Sequence, residues 1–309
     1  MRNVQRLYGE LRESVEEIVH SLVKTKGVKH HLTDVPLSDN AVIVNNQISP
    51  NYRNKELVGA GVVYQFCRFI DEQLGPNWAD NYIDLAAVGQ IGDMSNVLSI
   101  ENRYIIKKGL AAIKNKALIE MLTKVAYSLT GDANASWSKI VEKTNPISVA
   151  FYVVPMINAL IRVGTMEEKE LLFKAFIEPD DLVPCGKRGA KGTTERACVE
   201  AVRICTNAKT KQNKIKEDAV ARIEAKIFKY DLLENKILFI RLDEDDNFPS
   251  ELNGLIANQL ASKYRHPTIV ARLGNDGFDK GSIRGLNQSA LTDFKSFLMG
   301  SGYFEWCQG

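Results

Sequence analysis

The segment spanning residues 185–229 constrains this chain more than any other. It opens on a glycine- and lysine-rich stretch, CGKRGAKGTT, and runs on as one long helical pattern to Lys229. It holds 12 Lys and Arg against 5 acids, a charge of +7, so a net charge of +2 leaves −5 on the remainder. With no internal repeat around it, a helix of this length reads as a connector between two folded parts. A basic stripe suits a phosphate-backbone partner or a solvated helix face, and the charge alone favours the second.

The flanking sequence supports two folded parts. At 309 residues and 45% hydrophobic content the chain has material for two cores. On the amino-terminal side, residues 11–24 place Leu11, Val15, Ile18 and Leu22 at helical spacing, and His20 needs no function there. AVIVNNQ (41–47) reads as a short buried strand, ISPNYRN as a turn, and residues 57–74 as an apolar helix. Further helices are expected at 82–91, 101–113 and 115–129, a loop at 131–146, and helices at 146–164 and 166–177. After the connector, KILFIRLD reads as a strand, SELNGLIANQLASKY as a helix and TIVARLG as a strand, with KGSIRG at the next turn. The fold class expected is α/β, helix-rich in the first part and smaller in the second.

Composition narrows the setting. No apolar run of membrane-spanning length is read, and MRNVQRLYGELRE lacks the apolar core of a secretory signal, so a cytoplasmic address with no membrane partner is expected. Five scattered cysteines without a CxxC pair argue against a disulfide framework or zinc knuckle and for reduced thiols.

Three groups of residues carry chemistry. His30 and His31, taken with Asp93 in DLAAVGQIGDMSN, form a partial metal site. A hydrolase splitting a phosphodiester with two hard divalent ions needs more ligands than these, most of them carboxylates. Asn158 and Arg162 fall four apart on one helical face and can reach the same phosphate, with a cap and a surface charge as an equal alternative. Ser282 and Arg284 sit in a stretch read as a glycine-flanked loop, where Gly281 and Gly285 allow close approach and a hydroxyl, N–H groups and a guanidinium can meet a phosphate. Gly59 and Gly61 in LVGAGVV serve helix packing, since the motif is too short and apolar for a nucleotide loop.

Six stretches, in order, resemble the DHH phosphoesterases, and within them the RecJ-type single-strand exonucleases. KHHLTDVPLSDNAVIVNNQ is similar to the family's third motif, DLAAVGQIGDMSN to its fourth, and ENRYIIKKGLAAI to the segment that follows. VVPMINALIRVG resembles the RecJ-type Pro-x-x-Asn-Ala-x-x-Arg element, and NGLIANQLASKYRHPTIVARL and FDKGSIRG resemble the carboxy-terminal DHH-associated domain. The resemblance runs from about residue 27 to residue 309. It implies a partial DHH domain over 1–135, a helical extension and basic connector over 136–232, and a DHH-associated domain over 233–309.

The resemblance also implies roles. His30 and Asp93 would be metal ligands and His31 a second, phosphate-facing histidine, all three catalytic; Asn158, Arg162, Ser282 and Arg284 would bind nucleic acid. The cofactor would be Mn2+ or Mg2+. The substrate would be single-stranded DNA, digested 5′ to 3′ in repair or recombination, with the connector tracking its backbone. The sequence departs from the pattern before His30, where no Asp-x-Asp motif stands, at Lys29, which replaces an aspartate, and at the end, which lacks a Gly-Gly-His element. A weakly active or inactive fragment, needing a complementary amino-terminal chain, is therefore expected. A catalytically dead nucleic-acid-binding subunit is the alternative from another class, and an oligonucleotide or cyclic-dinucleotide phosphodiesterase is the third.

Overall fold

The computed structural model describes residues 44–47, 49–75, 77–243, 246–286, 291 and 293–307. The expected helix at 11–24 and the His30–His31 pair lie outside the described residues. The chain divides into two compact units. One comprises residues up to Val154 with Ala175–Pro184 and Gly192–Val199; the other comprises Pro155–Lys174, Cys185–Lys191 and Glu200–Gly309.

The first unit is helical, built around α1 (Gly59–Leu74), α2 (Ile83–Gly92) and α3 (Ile100–Ala111). Leu57, Tyr64, Ala79, Ile83, Ala86 and Ile105 make its core, with Tyr52 and Val62 packed against them. Gly109 lets α3 approach α2 closely, because a Cβ there would collide with the Ile83 carbonyl and the Ala87 methyl. Asp84, buried in the first turn of α2, accepts the backbone N–H groups of Lys114 at 2.8 Å and Asn115 at 2.7 Å. Those bonds fix the start of α4 (Lys116–Lys124), which Asn115 then caps by accepting from Ala117 and Leu118 N–H.

Several expectations are corrected here. The single helix expected over 115–129 breaks at Val125 into α4 and α5 (Ala126–Thr130), and α5 ends on Gly131 in the left-handed region. The loop expected at 131–146 contains α6 (Trp137–Lys143), where Ser136 caps the helix and Ile140 is buried. Seven residues, with only Trp137, Ile140 and Val141 apolar, leave too little length for a period to repeat. Of the strand expected over 41–47, residues 41–43 lie outside the described residues; Val44–Gln47 has no strand pairing and Val44 is exposed.

Pro146 to Val163 is helical throughout, with a π-helical turn over Val149–Val153 ahead of α7 (Val154–Val163). Pro155 lacks the N–H an α-helix would use there, which accounts for the widened turn. Contrary to the sequence reading, this run is long and apolar enough by length and composition to cross a membrane: 18 residues, mean hydropathy 1.6, with 39% of it buried. After α8 (Met166–Ile177), the short antiparallel strands β1 (Leu182–Pro184) and β2 (Thr194–Arg196) flank the glycine-rich loop; three residues each, they escaped the periodicity search. The basic helix is α9 (Ala197–Lys229), 33 residues long.

The carboxy-terminal sheet has the order β3 (Leu238–Leu242), β4 (Thr268–Leu273), β5 (Asp279–Arg284), parallel then antiparallel, with α10 (Asn253–Tyr264) between β3 and β4. Central β4 is buried from Thr268 to Ala271. Its Ile269 and Ala271 pack with Phe294 and Leu298 of α11 (Phe294–Gly300), while α10 packs against β4 and β5. Residues 280–285 were expected at a turn, and here the structure differs. Asp279–Arg284 is a strand, and the turn comes earlier, with Gly277 in the left-handed region. Gly281 faces Ala271, where any Cβ would strike the Val270 carbonyl, so this glycine serves strand packing. Gly285 meets only ordinary contacts with Phe294.

Candidate functional site

Asp93 stands at the end of α2, in a turn set by its backbone. Ser95 N–H bonds the Gln90 carbonyl at 3.0 Å and Met94 N–H bonds the Ile91 carbonyl at 3.1 Å, the double closure of a Schellman terminus. The left-handed position that glycine normally fills is taken by Met94, with φ 52°. Asp93 thus sits at the negative end of a helix, a place that favours a cation. It lines a cavity of about 610 Å³ together with Asn45, Lys55, Glu56, Ser95 and Asn96.

The cavity wall is tied together by amides. Asn46 Nδ2 donates to the carbonyls of Asn54 at 3.0 Å and Leu57 at 2.9 Å, and Lys55 Nζ donates to the Asn46 carbonyl at 3.0 Å. Behind it, Tyr52 donates its hydroxyl to Glu101 at 2.6 Å. Burial, then that carboxylate, pushes the Tyr52 hydroxyl well above its ordinary value, so it stays a donor at any physiological pH.

A divalent ion fits this place in kind but not in number. The donors are oxygens, as hard cations require, and Ser95 Oγ is buried without a hydrogen-bond partner. No group of three or more His, Cys, Asp or Glu able to hold a metal occurs among the described residues. Asp93 supplies one carboxylate. Sequence reading missed Ser95, whose signal is only its place two residues after Asp93. Gln90, fully buried one turn earlier and packed against Gly61, also lacks a hydrogen-bond partner.

The second unit holds the other predicted residues, in two places. Asn158 and Arg162 are both half-buried on α7. Lys211 Nζ donates to the Val163 carbonyl at 3.2 Å, tying the end of α7 to α9. The Lys209 amine is held below its ordinary value by burial first, then by the positive charges of Lys216 and Arg162. Three cations near one another, none with an ion-pair partner among the described residues, make a place where an anion is stabilised. Sequence reading counted Lys209 and Lys216 in the stripe without linking them to Arg162; their spacing of seven, two helical turns, was the available signal.

Ser282 and Arg284 alternate with Ile283 on β5, so both point to the α10 side of the sheet. Arg284 Nη2 lies 2.8 Å and Ser282 Oγ 3.3 Å from where a Cβ on Gly254 would be. Gly254 is in the first turn of α10, so a guanidinium, a hydroxyl and the positive end of a helix share one spot. Asn253, buried beside it, has an Oδ1 without a partner. A side chain on Gly254 would close the spot. Of the predicted site residues, the structure joins Ser282 with Arg284 and gives Arg162 Lys209 as a neighbour, all in the second unit; Asp93 belongs to the first.

No protein-family model matches the sequence. A Bacillus subtilis (strain 168) protein described as a putative SPbeta prophage-derived single-strand DNA-specific exonuclease, YorK, is 38% identical over 289 residues, covering 91% of this chain and 47% of that protein. The corresponding protein of Bacillus phage SPbeta matches equally. The single-stranded-DNA-specific exonuclease RecJ of Thermus thermophilus is 32% identical over 162 residues, 52% of this chain and 21% of that one. Among solved structures, Thermus thermophilus RecJ in complex with Mg2+ superposes with TM-score 0.50 at 19% identity, covering 74% of this chain and 31% of that chain. An exonuclease RecJ bound to manganese gives TM-score 0.50 at 21% identity, covering 74% and 50%. These structures establish the α/β fold. Over nine-tenths of its length the chain is homologous to the YorK proteins, described as putative single-strand DNA-specific exonucleases, and over half of it to RecJ; it spans about half the length of the YorK proteins it matches.

Proposed function

We propose that this chain is the part of a RecJ-like exonuclease that grips single-stranded DNA and contributes one carboxylate to a two-ion centre hydrolysing it 5′ to 3′. The observation that carries the reading is the 38% identity, over 91% of the chain, to proteins described as single-strand DNA-specific exonucleases. Asp93, which lines its cavity, is the residue most suited to the centre, with His30 as a further ligand and His31 beside the phosphate. When bound, Mn2+ or Mg2+ would lower the pKa of a water and offset charge on the scissile phosphate. The chain's own part is to bind and orient. Arg284, Ser282 and the first turn of α10 hold one backbone phosphate, and Arg162, Asn158, Lys209 and Lys216 hold another.

The division into 1–135, 136–232 and 233–309, a cytoplasmic setting with reduced thiols, a role in repair or recombination, and a complementary chain supplying further ligands belong to the same proposal. A second reading, a binding subunit without catalysis, is favoured by the lack of a three-ligand cluster among the described residues.

Fluorescence anisotropy with a labelled single strand tests the binding half. Arg284→Ala and Arg162→Ala should each weaken binding by about 1–3 kcal/mol, as expected for desolvated charge-assisted bonds, and affinity should fall steeply with salt. Unchanged curves for both variants at low salt would make these residues structural. Hydrolysis should be weak; Mn2+-dependent nucleotide release that Asp93→Ala removes identifies the enzyme, and its complete absence beside tight binding identifies the subunit.

A further inference from the structure

Asn102, at the start of α3, is completely buried, and its amide is fully engaged by segments that wall the Asp93 cavity. Nδ2 donates to the carbonyls of Asn96 at 2.9 Å and Glu56 at 3.0 Å, while Oδ1 accepts from Asn54 Nδ2 at 2.8 Å. Asn96 and Glu56 both line that cavity, though they are far apart in sequence. Next to it, Glu101 accepts from Tyr52 and Gln65, and from Asn54 Nδ2 at 2.8 Å, so Asn54 is itself held in place.

The turn bearing Asp93 is therefore fixed from two ends. On the helix side the Schellman bonds hold it, at the expense of the left-handed Met94. On the loop side, the Asn96 carbonyl is the point where the segment is tied back to the body of the unit, and Asn102 makes that tie. A buried amide with every group satisfied permits a narrower range of positions than apolar packing, because each displacement leaves a donor or acceptor unpaired in a low-dielectric interior. Leu98 N–H on Asn96 Oδ1 and Ser99 N–H on the Asn96 carbonyl then propagate the placement into α3.

We propose that Asn102 is a positioning residue for Asp93: it sets where the segment after Asp93 lies relative to the 54–57 loop, and so where the carboxylate meets a divalent ion. This rests on the reading of Asp93 as a metal-binding carboxylate.

The test uses the full chain with Mn2+ alone, followed by electron paramagnetic resonance well below the unfolding midpoint, and amide hydrogen exchange. Asn102→Asp keeps the size of the side chain but replaces both donors with an oxygen facing two carbonyls. Exchange at Leu98 and Ser99 should rise at least tenfold, and Mn2+ affinity should fall about tenfold, the range seen when groups supporting a ligand are lost. Asn102→Ala, small enough for water to reach the carbonyls, should lie between parent and Asp, and serves if the aspartate variant does not fold. Asp84→Asn, which weakens the same unit at the other end of α2, is the control: it should lower the midpoint and leave Mn2+ affinity unchanged. Should Asn102→Asp match the control, with lower stability but parental affinity, the residue is structural and the inference is overturned. A parent that takes up no Mn2+ sensitive to Asp93→Ala would instead remove the metal reading itself, and the positioning role with it. Unchanged exchange at Leu98 and Ser99 overturns the tether whatever the metal does.

Discussion

Asp84→Ala is expected to destabilise the first unit by about 3 kcal/mol, read as a lower urea midpoint with an unchanged slope. The side chain is 1% exposed and receives the N–H groups of Leu85, Lys114 and Asn115. Leu85 lies in the first turn of α2, where water or the helix end can replace the bond. The Lys114 and Asn115 groups lie in the connection to α4, and a donor left unpaired where it is shielded from water costs about 1–3 kcal/mol. The same bonds hold Asn115 in place to cap α4, so losing them also weakens that cap, worth about 1 kcal/mol. Asp84→Asn keeps one acceptor and should cost less than alanine. A midpoint for Asp84→Ala within error of the parent would mean that the connection from α3 to α4 is not anchored where the structure puts it.

Gly109→Val should cost about as much by a steric route. At Gly109 the backbones of α2 and α3 are close enough that a single added carbon would overlap the Ile83 carbonyl and the Ala87 methyl. Neither obstacle can swing aside, since one is backbone and the other a side chain of one carbon. The helices must separate, loosening Ala87 and Ile105, both at 0% exposure, and overpacking of this kind costs about 1–3 kcal/mol or more. Gly109→Ala should lose less, because alanine regains about 1 kcal/mol of helix propensity. Thermal melts of the two variants give the check: valine no worse than alanine would show that the helices have room to spare.

What could be read from the sequence follows from how local the cause is. The helices α1, α2, α3 and α9 were legible because each runs for at least ten residues, long enough for a helical pattern to repeat. The hairpin β1–β2 and the helix α6 were not, since three to seven residues carry too few repeats of any period. KGSIRG misled for a different reason. Its glycines look like turn punctuation, yet Gly281 is small so that two strands can pair, a requirement set by Ala271 ten residues earlier. The same holds for function. Asp93 stood out in its motif, and Arg162, Ser282 and Arg284 in theirs. The neighbours Asn102, Lys209 and Gly254 did not, because each matters through a residue dozens of positions away, or on another element, that only the fold brings to it.

The strand order of the carboxy-terminal sheet also bears on how that unit is acquired in time. Joining β4 to β5 closes a loop of five residues, 274–278, whereas joining β3 to β4 must bring together ends separated by residues 243–267. The fivefold difference in length corresponds to about 1.4 kcal/mol of additional closure entropy, before the helix within the longer loop is counted. The hairpin is the cheaper first event, and the parallel partner arrives once α10 gives it a surface to land on. During refolding, pulse-labelled amides of the β4–β5 pair should therefore gain protection ahead of the β3–β4 amides; simultaneous protection would place the whole sheet in a single cooperative step.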